Sequence, residues 1–302
     1  MATGSVPVDL FNPGQVFACL GLMEVAEITC GHTVAGFDWS DSDSARFLLR
    51  VEGDADPVAA GLAFLARARV HALAPYASAL DSSKWSVPTH ELPQGSPFPI
   101  PTPSSPATLP AALALDDHEV VLDSWGDGRR RGVITTRRDN VKFWGGSGGY
   151  PGVALLRDAL DAVRADVEAS RLDPFSLAAP QSSSFRFDWR RDYIPIDAGF
   201  SLNEHGHIKA VGYPLVEVLA AIGLNYARPE RVAKLIYRYA VAGRSDAWRS
   251  ELAALLPPPF LRAALGVAPV PFPTRIFTMQ LGWPGKENQS RCITNVLEEA
   301  AQ

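Results

Sequence analysis

The chain has 302 residues, 47% of them hydrophobic and 20% charged, with a formal net charge of -5. That composition belongs to a globular chain long enough for a sizeable core, as one large domain or two of roughly 150 residues. It excludes a disordered tail, a collagen-like repeat and a membrane-protein composition. Cys19, Cys30 and Cys292 contain no C-x-x-C pair, which removes zinc knuckles and thioredoxin-like redox chemistry, and the odd count fits a reducing cytoplasm. Residues 1–9 lack a basic n-region, and the most apolar stretch, 216–224, is interrupted by Glu217. It falls far short of the ~18 residues a span needs, so neither secretion nor membrane insertion is expected.

An acidic total argues mildly against nucleic acid, yet a sum says nothing about distribution. The basic residues are 23 Arg and only 5 Lys. Arginine offers a planar fork suited to phosphate and to stacking, whereas lysine is a hydrated point charge.

In chain order, 6–10 reads as a short strand. Asn12-Pro13 then gives a helix start, Asn as N-cap and Pro at the first helical position, and the helix runs to about Cys30-Gly31. Val16, Phe17, Cys19, Leu20, Leu22, Met23 and Val25 make it apolar nearly all round, which predicts a helix buried on most sides. Strands follow at 36–39 and 46–51 and a second helix at 57–70. If 120–125 supplies the closing strand, the β-α-β-β-α order is ferredoxin-like, the layout of RNA-recognition folds and of many unrelated proteins. Residues 86–110 hold eight prolines in 25 residues. They exclude a helix or a central strand and predict an extended connector, strap or arm.

Beyond the connector, 120–125 and 133–137 read as a hairpin turned by Gly126-Asp127-Gly128. Helices are expected at 151–170 and 214–225, and strands at 185–189, 236–241 and 275–281. The whole is an α+β chain of ferredoxin-like (RRM-like, RAMP-type) units: an N-terminal half, 1–85, a proline-rich connector, 86–111, and a C-terminal α+β half, 112–302, packed as one assembly.

Arg129, Arg130, Arg131, Arg137, Arg138 and Lys142 stand against Asp139 alone, a local +5 within fourteen residues. Alternation along a strand sends Arg129 and Arg131 one way and Arg130 the other, so the cluster can flank a backbone. Trp125, Phe143, Trp144 and Tyr150 add rings on which bases can stack. Gly145-Gly146-Ser147-Gly148-Gly149 then leads into the helix expected at 151, whose free N–H groups favour an anion at Gly146, Ser147, Gly148 and Gly149. Neither a P-loop nor G-x-G-x-x-G is present, because Pro151 occupies the last glycine position. Phe185 to Tyr193 is a second aromatic and basic stretch, in which Arg190 and Arg191 are further phosphate candidates or simple partners of Asp188 and Asp192. For catalysis the sequence offers Ser182 to Ser184 without a G-x-S-x-G context and His205-x-His207, more readily a polar turn than a metal pair. No catalytic residue, metal site or cofactor is assigned.

Asn12-Pro13-Gly14-Gln15 followed by 17–26 resembles the opening of the Csb proteins of type I-U (I-G) CRISPR-Cas systems. Lys142-Phe143-Trp144-Gly145-Gly146 resembles the family's Lys-x-Trp-small-Gly motif. Phe187-Asp188, Ile196 to Ser201, and Tyr213-Pro214 through Ile222-Gly223-Leu224 resemble its later blocks. The matches spread from the N-terminus to Leu224 and are specific as a set. The chain departs from the family's usual residues at Leu20, Met23, Phe143 and Gly145. The resemblance implies a cytoplasmic, non-catalytic subunit of a CRISPR RNA-guided surveillance (Cascade-type) complex in antiviral defence. Its partners are then CRISPR RNA, other Cas subunits and, in some positions, target DNA. The guide supplies sequence specificity while protein grips backbone; Lys142 and Trp144 carry over from the matched motif. Two alternatives stand beside it: a protein-only interaction subunit that docks through the 13–29 helix or the proline strap, and a metal-dependent nuclease using His205, His207, Asp188 or Asp192.

Overall fold

The computed structural model describes residues 1–41, 44–99, 103, 105–123, 129–130, 133–134, 150–181, 183–190, 210–244, 255–282 and 292–300. Strand β1 (Ala2–Pro7) leads into helix α1 (Pro13–Cys30), followed by β2 (Thr33–Asp38), β3 (Arg46–Val51), α2 (Pro57–Arg67) and β4 (Arg69–Ala74). The α1 start is as the sequence predicts: the Asn12 side chain accepts from the Gln15 N–H, and Gly31, at φ 83°, ends the helix. Asp56 caps α2 through the N–H groups of Val58 and Ala59. β5 (Thr89–Glu91) lies in the proline-rich connector, and β6 (Ala111–Leu115), β7 (His118–Leu122), β8 (Arg129–Arg130) and β9 (Val133–Ile134) follow it. The C-terminal part adds α3 (Gly152–Val163), β10 (Ala179–Gln181), β11 (Ala210–Gly212), α4 (Pro214–Tyr226), β12 (Glu230–Ala233), β13 (Ile236–Arg244), α5 (Pro258–Leu265), β14 (Thr274–Gly282) and β15 (Cys292–Glu298). The chain is mixed α+β.

Two sheets organise these elements. The larger runs β1-β3-β2-β13-β14-β15, with β12 also on β13; the smaller runs β5-β4-β6-β7. β1, β3 and β2 pair antiparallel with α1 crossing between β1 and β2, which is the split βαβ arrangement. Parallel pairing of β2 with β13 then carries this N-terminal unit into the C-terminal strands. Helix α1 contacts β2 and β3 of the larger sheet and β7 of the smaller, and α2 contacts β1, β3 and β6. A helical layer therefore lies between two sheets, which is why α1 has almost no polar face and why Pro13 through Ala26 are all buried. That burial removes the 13–29 helix as a docking element: α2, α4 and α5 cover it within the chain.

The closing strand expected at 120–125 does not join the N-terminal unit. β7 instead pairs with β6 through a two-residue turn, Asp116-Asp117, with Asp116 at φ 51°, and β1 forms the end of its sheet among the described residues. β4, next after α2, is diverted into the smaller sheet and pairs with β6 and β5. The hairpin expected of 120–125 and 133–137 is replaced in its described part. Val133–Ile134 instead pairs with Arg129–Arg130, so the expected turn at Gly126 to Gly128 lies before the observed pairing rather than inside it. The connector behaves as its prolines dictate: β5 is a three-residue edge strand, and Pro106 opens a single 3-10 turn. Helix α3 is shorter than the expected 151–170 and continues as turns with a 3-10 segment at Glu168–Ser170.

Candidate nucleic-acid interface

Arg129 and Arg130, the start of the basic run, form β8, with Arg129 in register with Ile134 and Arg130 with Val133 of β9. Arg131, Arg137, Arg138, Lys142, Trp144 and the loop residues Gly146, Ser147, Gly148 and Gly149 lie outside the described residues, as do Arg191, Asp192, His205 and His207. Helix α3 begins directly beyond the glycines, with Pro151 in the N-cap position and no side-chain cap on its first N–H groups among the described residues. Tyr150 packs against the core, and its hydroxyl donates to Asp158 of α3 at 2.5 Å. Burial and that carboxylate push the phenol up to about 12. Its ring and hydroxyl are thus committed to the core and to α3.

Phe185 to Trp189 is not a strand. Arg186 adopts φ 66°, which breaks the extended run, and the rings of Phe185 and Phe187 stack at 5.3 Å inside the core. The N–H groups of Phe187 and Asp188 donate to the buried Glu217 carboxylate on α4 at 3.1 and 3.2 Å instead of entering a ladder. Asp188, 2% exposed, accepts from the Asn12 amide at 3.0 Å and from Nε and Nη2 of Arg190 at 3.0 and 2.6 Å. Arg190 also donates to the Phe175 carbonyl at 2.7 Å, and its guanidinium lies 3.5 Å from the centroid of the Tyr213 ring. Of the two readings of Arg190, the pairing with Asp188 is the one seen. The carboxylate is equally committed and is no open metal ligand.

This polar knot joins segments far apart in the sequence. Gly14 lies against it so closely that a Cβ there would stand 2.5 Å from the Phe187 carbonyl oxygen. One layer further in, α1 and α4 cross at Gly21 and Gly223, where a Cβ would come within 1.9 Å of the Leu219 carbonyl oxygen and 2.1 Å of that of Phe17. Asn12 to Gln15, 17–26, Phe187-Asp188 and 213–224, four blocks picked out in the sequence, thus meet in one region through direct hydrogen bonds and helix contact.

Three further arrangements were not read from the sequence. Arg157 on α3 pairs with Asp158 and donates to the carbonyls of Trp85 and Ser86, tying the start of the proline-rich connector to the core. His71 on β4 stacks on His90 of β5 with ring centroids 4.0 Å apart. Burial, then His90 and Arg69, lower its pKa to about 4, so its 3.7 Å approach to Glu119 is not an ion pair at neutral pH. The third lies on the side of β1-β3-β2 turned away from the helices. Phe47, Leu49 and Val51 point inward, so Arg46, Leu48 and Arg50 share the outer face. A cleft of about 340 Å³ opens there, lined in part by Thr3, Ser5, Asp38, Leu48, Arg50 and Leu255.

No group of three or more metal-ligating side chains occurs among the described residues, and none of their helices is long and apolar enough to cross a membrane. Comparisons with protein-family models, curated proteins and solved structures give no match.

Proposed function

We propose that the chain is a Csb-type, non-catalytic subunit of a CRISPR RNA-guided surveillance complex, acting in the cytoplasm and gripping the backbone of guide RNA or target through the basic hairpin. The observation that carries the reading is the local +5 of 129–142, whose first two arginines form β8 of the β8–β9 pair, followed in sequence by glycines and a helix with no side-chain cap among the described residues. Phosphate contacts of this kind give affinity without sequence preference, which suits a complex whose guide does the reading.

Support for the family comes from the resembling blocks, four of which share one polar and helical junction. In the same reading the N-terminal unit is ferredoxin-like, its β1-β3-β2 core intact and its fourth strand given up to the smaller sheet.

Co-expression with its genomic neighbours tests the proposal: a defined guide RNA co-purifies with the native chain. Replacing Arg129, Arg130 and Arg131 by Glu weakens RNA binding and flattens its salt dependence, since the slope of log K on log salt scales with the phosphates neutralised. Partner subunits that co-purify after nuclease treatment with no bound RNA, and without any effect of the three changes, establish the protein-only role instead.

A further inference from the structure

The outer cleft on β1-β3-β2 has the chemistry of a nucleotide site. Ladder register places Thr3 beside Arg50, and Ser5 beside Leu48. Pro7, Arg46, Asp38 and Arg244 form the next row across four strands. Arg46 is held by Ser5, with Nη2 2.8 Å from its hydroxyl oxygen, and Arg244 lies 3.7 Å from the Asp38 carboxylate. Arg50 lines the cleft, and its side chain makes no hydrogen bond or ion pair among the described residues. One open guanidinium with hydroxyls beside it suits a phosphate, for which arginine supplies a planar two-donor fork. Leu48 and Leu255 supply an apolar wall for a base, while Asp38 is engaged within the chain, its Oδ1 accepting from the N–H and hydroxyl of Ser40 at 3.0 and 2.6 Å and its Oδ2 standing 3.7 Å from Arg244. The volume lies at the lower end of the ~300–1,000 Å³ typical of small-ligand pockets.

We propose that this cleft binds one nucleotide, its phosphate on Arg50 with Thr3 and Ser5, its base against Leu48 and Leu255. None of the cleft's described lining residues belongs to the basic segment, and the site stands or falls without it. The same chemistry serves a free mononucleotide or one unit of a single strand lying across the sheet.

Calorimetric titration of the full chain with adenosine 5′-monophosphate and with a single-stranded adenylate tetramer tests it. Both bind the native chain, Arg50→Ala weakens binding at least tenfold, and Arg50→Glu abolishes it. Arg50 stands on the outer face, and matching thermal melts show that the variants fold. Charge reversal of Arg129, Arg130 and Arg131 leaves mononucleotide binding unchanged. A tetramer that binds tenfold tighter than the monomer identifies a strand as the ligand, and equal affinities identify a free nucleotide. The proposal is overturned if neither probe binds at millimolar concentration, or if both Arg50 variants bind like the native chain. Tetramer binding that is lost only with the hairpin arginines overturns the cleft and leaves the hairpin standing.

Discussion

Arg190 commits Nε and Nη2 to Asp188 and the Phe175 carbonyl and covers Tyr213 with its face. Arg157 takes two connector carbonyls, Arg164 caps α2 through the carbonyls of Leu65, Ala66 and Ala68, and Arg262 holds the buried Glu24 carboxylate through two bonds. A composition biased toward arginine suggests phosphate, and here a large part of it serves internal carbonyls and carboxylates. The fork that fits phosphate fits these equally well, so residue type alone does not separate the two uses. Removing Arg190 leaves Asp188 buried with Asn12 and the Arg190 N–H as its remaining donors. Arg190→Ala is therefore expected to cost about 2–3 kcal/mol in denaturant unfolding, and Arg190→Lys recovers only part of it because one ammonium cannot span both oxygens and the carbonyl. His71 gives a pH-dependent counterpart. The folded imidazole stays neutral down to about pH 4, whereas the unfolded one takes up its proton near 6.5. The unfolded state binds more protons between those values, so stability is full above pH 6.5, falls as pH drops through the window and levels below 4. The loss is at most about 3 kcal/mol, less to the extent that solvent screens the site. His71→Gln flattens the stability curve across pH 4–6.5; an unchanged slope refutes the assignment.

At the scale of elements, the sequence is most legible where local chemistry decides. Asn12-Pro13 and Gly31 bracket α1, Arg46 to Val51 alternates as β3 does, and Pro214 opens α4. It is least legible where a distant group replaces the local partner. Phe185 to Trp189 alternates as a strand should, yet Glu217 takes its N–H groups and Arg186 turns left-handed. β6, Ala-Ala-Leu-Ala-Leu, lacks the β-branched residues that mark a strand and is fixed by its neighbours β4 and β7. The crossing of α1 and α4 explains two glycines that spacing does not. Gly21→Ala or Gly223→Ala pushes the helices apart against backbone atoms, with an expected loss of about 3 kcal/mol, since a Cβ at either position meets a carbonyl oxygen rather than a movable side chain. The double variant loses less than the sum, because one separation relieves both clashes; chemical denaturation of the three variants checks this.

For the whole molecule, pairing between β2 and β13 and the crossing of α1 with α4 bind the N-terminal unit to strands and helices roughly two hundred residues away. Such non-local pairing leaves no periodic trace, so strand order is legible only as far as β1, β2 and β3, where connections are short. The net charge of -5 likewise hides the one segment where six cations stand against a single carboxylate. The proposed function rests on this segment gripping nucleic-acid backbone. Its most direct test is the affinity of the purified full chain for its co-expressed guide RNA at two salt concentrations, for the native chain and for the variant with Glu at 129, 130 and 131. Weaker binding and a shallower salt slope are expected in the variant. Identical affinities and identical slopes would contradict the proposal.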